Sequence, residues 1–515
     1  MNKRQRVLLL ALAIGLATLV MVGCGGTTSP VVSSQQNPTG PTGMLVVFGT
    51  DQPSCDVQSF TVTIQSASLA QNGGGSVSIT APGQPVDFAS LVDFTNILSF
   101  GSVTAGTYNQ LTLVLTNPQL TVLDTSTSPP SAQPVTTTFS NDSTTITLNL
   151  MFSPPLVIPP STSAAGTTAG FVVDFDMRDS VQTDANGNVT GVVDPQLTVT
   201  PSTASGTTLG EADTVYGVVA TPTPACTAST TVTNDVGCFS LQVQGGVGQI
   251  LTIQVTSTTD FEGDSVAGLS GTAALTALAG GTFVEVDAIV DTSGNIIAQE
   301  VDAEAQVVTT GQHAGFLGKV IGVTRDNSGN AISFNLLVGH ETWDMTSEVP
   351  LQSSLAVTLT GTTHYWSNWR HWNRGSLQFG PQTLGLAESV AVFGVLTAAS
   401  GPTPATLTAD LVFLRQRNVL GTFQAPLPSG TGGFTMLPCG DLFAGQTITV
   451  LTFGDSRWRG GLGGLSGLTP GPIIDVAGLL FFEQANGPGT PPTWTASPTS
   501  PTWVMQAKTV HQLPK

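Results

Sequence analysis

The chain predicts an all-β protein, an N-terminal β-sandwich followed by three small β-domains of one repeating kind. Three observations carry this. Charged residues are only 9% of the 515-residue chain, too few for long amphipathic helices with Glu/Lys faces. Short runs of Val, Thr, Ile and Leu recur between Gly, Asn and Pro turns, the pattern of strand-and-turn domains. In the second half, one ordered set of features comes round three times.

The first segment, residues 1–23, reads as a lipoprotein signal peptide. Lys3, Arg4 and Arg6 precede an uncharged apolar run from Val7 to Val22, too short to span a bilayer comfortably. The run closes on Met21-Val22-Gly23-Cys24, which resembles a lipobox with Met where Leu is usual. Cleavage before Cys24 and its lipidation are expected, with the membrane as a partner through the acyl chains. Residues 24–41 are Gly, Thr, Ser, Pro and Gln with almost nothing apolar, a composition that cannot bury enough surface to fold and so predicts a disordered tether. Gly25 is not the Asp that retains some lipoproteins in the inner membrane, which favours the outer membrane, at its periplasmic face or the cell surface.

Residues 42–201 form the sandwich. Phe60, Val62 and Ile64 alternate with Thr61 and Thr63, and Leu111, Leu113 and Leu115 repeat the period. Ile146, Leu148 and Leu150 do the same, then Phe171, Val173, Phe175 and Met177. A period of two marks half-buried strands, and two sheets with one apolar face each close by stacking. This unit resembles the bacterial family catalogued as domain of unknown function 4382. The matching features are Gly43-Met-Leu-Val-Val-Phe-Gly-Thr-Asp51-Gln-Pro53, Phe60-Thr-Val-Thr-Ile-Gln-Ser-Ala-Ser-Leu69, Ala105-Gly-Thr-Tyr108 and Val173-Asp-Phe-Asp176. The resemblance implies an envelope β-domain and no activity.

The repeats are placed at 213–306, 314–415 and 418–512. Each opens with a Gly-containing apolar strand: Tyr216-Gly-Val-Val219, Gly318-Lys-Val-Ile-Gly322 and Leu420-Gly-Thr-Phe423. An alternating strand comes next at Leu251–Val255, Leu355–Leu359 and Thr447–Val450, then a loop beginning with Phe261, Tyr365 or Trp458. The fourth feature is Val-x-Val-x-small, ending on Ala288, Gly394 or, in a third version starting with Ile474, Gly478. Ala-x-x-Val closes each copy, at Ala298/Val301, Ala409/Val412 and Ala507/Val510. The repeat resembles domain of unknown function 5666, which implies small OB-like barrels; closure would remove exposed sheet edges.

Charge divides the chain. Between Cys24 and Ala314 there are 23 acidic residues and one basic, Arg178; from Gly315 onward there are 10 of each. The acidic half should repel polyanions, so no nucleic acid is expected as partner. Cys226 and Cys238 flank a polar stretch and are the expected disulfide of an exported chain, whereas Cys55 and Cys439 are left either free or paired at a distance.

No catalytic residues, cofactor or metal site are predicted. The five histidines lie outside any Gly-x-Ser-x-Gly or His-Glu-x-x-His signature, and three Asp-x-x-Gly-Asn stretches read as turns. One stretch stands out: His364-Tyr-Trp-Ser-Asn-Trp-Arg-His-Trp-Asn-Arg-Gly375. Tyr365, Trp366, Trp369, Arg370, Trp372 and Arg374 are candidate ligand-binding residues, as are Arg457, Trp458 and Arg459 at the equivalent place in the third copy. Aromatic faces stack on sugar rings and Arg pairs with anionic groups, so a glycan or anionic polysaccharide is the ligand expected. The alternative is that the rings pack against their own barrel or a neighbour. The leading expectation is thus a non-enzymatic envelope lipoprotein with its domains in a row. A structural or assembly protein binding another envelope protein, and a polysaccharide-acting enzyme, are the other two.

Overall fold

The computed structural model describes residues 40–513 apart from internal stretches, of which 368–377 and 484–501 are the longest. The signal peptide, Cys24, most of the tether, and Trp369, Arg370, Trp372 and Arg374 lie outside the described residues.

The sandwich has two facing sheets. One orders Leu197–Pro201, Ala169–Asp176, Thr42–Gln52 and Asn96–Thr104; the other is built on the long pair Val57–Gln71 and Gly106–Asp124, with Thr145–Ile158 alongside the latter. Between them Leu45, Val47, Phe171, Val173 and Phe175 bury against Phe60, Val62, Leu111, Leu113 and Leu115. The first sheet also buries its other side. Val46, Phe48 and Ile97 join the core of the next domain, packing with Leu209, Val215 and Val290. That double burial explains why Met44-Leu-Val-Val-Phe48 reads as a continuous apolar run without alternation.

The next domain closes a five-strand barrel from Thr208–Val219, Asp235–Val243, Ile250–Thr256, Thr282–Asp291 and Ile296–Gln306. The first strand pairs antiparallel with the second and fourth, the second with the third, and the fourth with the fifth. The ring is shut by a parallel pairing of third and fifth strands, Ile253 opposite Ile296. This Greek-key order is that of an OB-type barrel.

The same cycle of pairings recurs in His313–Arg325, Ala331–Glu341, Ser354–Thr358, Ser389–Thr397 and residues 406–415. It recurs again in residues 416–426, Gly433–Pro438, Ile448–Leu451, Ile473–Glu483 and Thr502–Gln512. The second and third barrels share one unbroken strand, Thr406–Pro426, the fifth of one and the first of the other.

Sequence markers of the repeat have physical causes. A Cβ on Gly217, Gly318 or Gly421 would overlap the carbonyl oxygen of Gln242, Leu337 or Leu437 on the second strand, so the repeated glycine marks a close backbone approach. Ala288, Gly394 and Gly478 lie where the fifth strand bulges, one extra residue (Gln299, Asp410 or Lys508) separating the partners of neighbouring fourth-strand positions, and they face Ala298, Ala409 and Ala507, which is why both motifs need a small residue there. The Asp-x-x-Gly-Asn stretches are hairpin turns. Asp184, Asp291 and Asp326 accept the backbone N–H of Asn188, Asn295 and Asn330 at 2.9, 2.8 and 2.8 Å, with Gly187, Gly294 and Gly329 at positive φ.

The domains do not succeed one another as separate beads. Cys55 of the sandwich is bonded to Cys439 of the third barrel, 384 residues away, and Cys226 is bonded to Cys238 as the sequence predicts. Sandwich residue Leu123 enters the core of the third barrel. The outer faces of the first and second barrels meet through Tyr216, Val218 and Phe283 against Leu317, Phe393 and Phe413. The expected in-line arrangement is therefore corrected: the last barrel is covalently tied back to the first domain.

Candidate functional site

The predicted binding residues occupy one recurring position, just after the third strand of each barrel. A hydroxyl fixes the chain there. Thr259 Oγ1 accepts the Thr256 N–H at 2.9 Å and donates to the Ala298 carbonyl at 2.8 Å. Thr363 does the same with the Thr360 N–H and the Ala409 carbonyl, both at 2.8 Å. Ser456 accepts from the Phe453 N–H at 2.9 Å and donates to the Ala507 carbonyl at 2.7 Å. Satisfying one donor and one acceptor at once, each hydroxyl pins the turn to the fifth strand. Sequence reading passed over this clamp, although its signal is present: Thr256-x-x-Thr259-x-Phe261, Thr360-x-x-Thr363-x-Tyr365 and Phe453-x-x-Ser456-x-Trp458.

Beyond the clamp the chain forms a short strand where a loop was expected. Asp260–Glu262, His364–Ser367 and Arg457–Arg459 each run parallel to the fifth strand of their own barrel. The ring two residues after the hydroxyl packs on the barrel interior: Phe261 is buried, and Tyr365 and Trp458 lie partly buried on their cores. Tyr365 meets Phe379 edge-on at 5.8 Å, and burial pushes its phenol up to about 12. Trp366 packs where the first and second barrels join, beside Phe393 and Phe413.

The outward positions differ between copies. Arg457 and Arg459 are exposed, as is His364. Arg457 stands 3.5 Å from Glu211 of the first barrel, with both side chains about half exposed at 51% and 53%. In the first barrel the strand is acidic, and Glu262, Glu300 and Asp302 bring carboxylate oxygens within 4.8 Å of one another, close enough to share a cation. The strand ends also differ. Gly263 and Gly460 turn the chain at positive φ, and a Cβ on either would overlap a fifth-strand carbonyl oxygen. The second barrel has Ser367 at that place, and the Trp- and Arg-rich segment comes directly after it in sequence.

The structure thus brings Arg457, Trp458 and Arg459 together on one rim strand, and Tyr365 and Trp366 on its counterpart. Two stretches of the chain match known families. Residues 42–190 match the model described as Domain of unknown function (DUF4382), and residues 231–302 match that described as Domain of unknown function (DUF5666). The first match covers most of the sandwich and the second most of the first barrel. No curated protein matches the chain.

Proposed function

We propose that the chain is a non-enzymatic lipoprotein of the cell envelope, anchored through Cys24, that offers a basic, aromatic rim to a glycan or anionic polysaccharide. One observation carries the reading. In the second and third barrels the hydroxyl clamp and the inward ring hold a short strand whose outward positions are His364, Arg457 and Arg459. In the second barrel Trp369, Arg370, Trp372 and Arg374 come next in sequence. Anchored strands give presented cations a defined spacing, which suits a periodic anionic polymer.

The test leaves Trp366 in place, because it packs between barrels. Replacing Trp369 and Trp372 by Ala, and Arg370 and Arg374 by Gln, should abolish retention of the full chain by an immobilised polyuronate with the melting temperature unchanged. Retention equal to the parent protein would overturn the reading. Anchoring has its own test: Cys24→Ala should release the protein from the membrane fraction and abolish labelling by a fatty-acid analogue.

A second reading, assembly with another envelope protein, is favoured by the strand Thr145–Ile158. It pairs with Gly106–Asp124 on one side, and Met151 and Val157 are each 60% exposed. Strand addition to such an edge is a general mode of protein recognition. Crosslinking from a photoreactive residue at position 151 to one envelope protein would favour this reading over the glycan.

A further inference from the structure

The four domains meet around a cavity of about 180 Å³, several times the roughly 30 Å³ share of one water. Each domain contributes a wall. Asp87 comes from the sandwich, Tyr216 from the first barrel, Lys319 from the second, and Arg415, Arg417 and Asn418 from the strand that passes into the third. The Cys55–Cys439 disulfide lies in the same lining.

The cations here are not equally matched. Arg415 gives two hydrogen bonds, at 3.0 and 3.2 Å, to one oxygen of Glu285. Arg417 donates to the carbonyls of Asn418 and Ala387, with Asp475 and Glu388 near enough to favour its charge. Lys319 is held differently. Its Nζ meets the carbonyl and the side-chain oxygen of Gln58, at 3.5 and 3.3 Å, and among the described residues it makes no ion pair. Asp87 is the nearby carboxylate, but its two oxygens accept from the N–H groups of Phe60 and Ala89, the Ser59 hydroxyl and Gln352. Burial, with the repulsion of Arg417, brings the ammonium down to about 8.

The same wall carries acceptors in need of donors. Gln416 Oε1 and Asn418 Oδ1 are buried and have no hydrogen-bond partner among the described residues, and both residues belong to the cavity lining. Buried amide oxygens of this kind are normally satisfied, by protein, water or ligand. A guest that fits must bring a negative charge to Lys319 and hydroxyl donors to Gln416 and Asn418, within the size of a single ring.

We propose that this junction is a binding site for a small hydroxylated carboxylic acid, of the sugar-acid class. Its carboxylate pairs with Lys319 and its hydroxyls donate to Gln416 and Asn418. A simple carboxylate lacks the hydroxyls and a neutral sugar lacks the charge, so each should bind less well. The site is separate from the rim and its ligand is a monomer, so the two readings stand or fall independently.

The test is calorimetry on the full chain in detergent micelles, with glucuronate as probe and glucose and acetate as controls. Glucuronate should bind saturably, with glucose and acetate weaker by about tenfold or more, the worth of one charge-assisted or buried hydrogen bond. Lys319→Met should weaken glucuronate by at least about tenfold and leave polyuronate retention intact. Gln416→Leu should narrow the preference for glucuronate over acetate. Independently of any variant, glucuronate should slow amide exchange in His313–Arg325 and Thr406–Pro426. Equal binding of all three probes, no saturable binding of glucuronate, an unchanged affinity in a folded Lys319→Met protein, or exchange protection confined to other strands would each overturn the proposal.

Discussion

Lys319 shows how one residue can take its chemistry from tertiary placement. On its strand it sits in Gly318-Lys-Val-Ile-Gly322, with no acidic neighbour to predict a partner. Folding puts it beside Arg417 in the junction and lowers its pKa to about 8, first through burial and then through that repulsion. Because the folded value lies below the unfolded one, the unfolded chain binds the proton more tightly. The charged lysine therefore costs stability below pH 8, and the cost fades as pH rises from there toward the ordinary lysine value of 10.5. Lys319→Met should raise the melting temperature at pH 7, by a margin that shrinks steadily between pH 8 and 10. A margin that stays constant with pH would show that the ammonium is not strained. Thr363 is the opposite kind of residue, wholly readable in a local pattern once the pattern is known. Thr363→Val removes one accepted and one donated hydrogen bond and should cost about 2 kcal/mol in denaturant titration, while Thr363→Ser should restore most of it.

At the scale of elements, what is legible depends on whether the cause is local. Alternation in Phe60–Ile64 and Leu111–Leu115 gives the sandwich strands because one face of each sheet is buried and side chains alternate every residue. The small residue of Val-x-Val-x-small was visible in sequence, but its reason, a bulge in the facing strand beside its alanine, is a property of two paired strands. The rim positions were read as loops because three or four residues between turns carry too little periodicity to show a strand. Their ends can be tested. Gly460 sits at φ +68° with its α-hydrogen facing the Gln512 carbonyl, so Gly460→Ala should destabilise the third barrel by more than about 1 kcal/mol. The strand Thr406–Pro426 shows the limit of boundaries drawn from repeats. An expected break at residues 416–417 is absent because both barrels draw their ring closure from the same backbone.

For the whole molecule, the uneven charge along the sequence acquires a structural use. The acidic first barrel faces basic residues of the later ones: Arg415 meets Glu285 at 3.0 Å, Lys508 meets Asp287 at 2.8 Å, and Arg457 meets Glu211 at 3.5 Å. Their energetic weight differs with exposure. The Arg415–Glu285 side chains are only 11% and 7% exposed, so Arg415→Met strands a buried carboxylate and should cost about 3 kcal/mol. Arg457→Ala, at an exposed pair, should change stability by less than about 1 kcal/mol. Equal effects in chemical denaturation would contradict this ranking. The Cys55–Cys439 bond closes 384 residues of chain, and loop entropy sets an upper limit of roughly 6 kcal/mol on its contribution. Cys55→Ser should lower the melting temperature and speed proteolysis between domains, whereas breaking Cys226–Cys238 should act within the first barrel alone.

By itself the sequence determined the all-β class, the sandwich followed by a threefold repeat, and the short-range disulfide, since each rests on patterns contained in a few tens of residues. Only the tertiary structure decided that Cys55 meets Cys439, that acidic and basic halves pair across domains, and that Lys319 looks into a shared cavity. The physical reason is range. Alternation, turns and clamps are set by neighbours along the chain, but a junction of four domains is set by how their outer faces dock, and no local period records which faces those are.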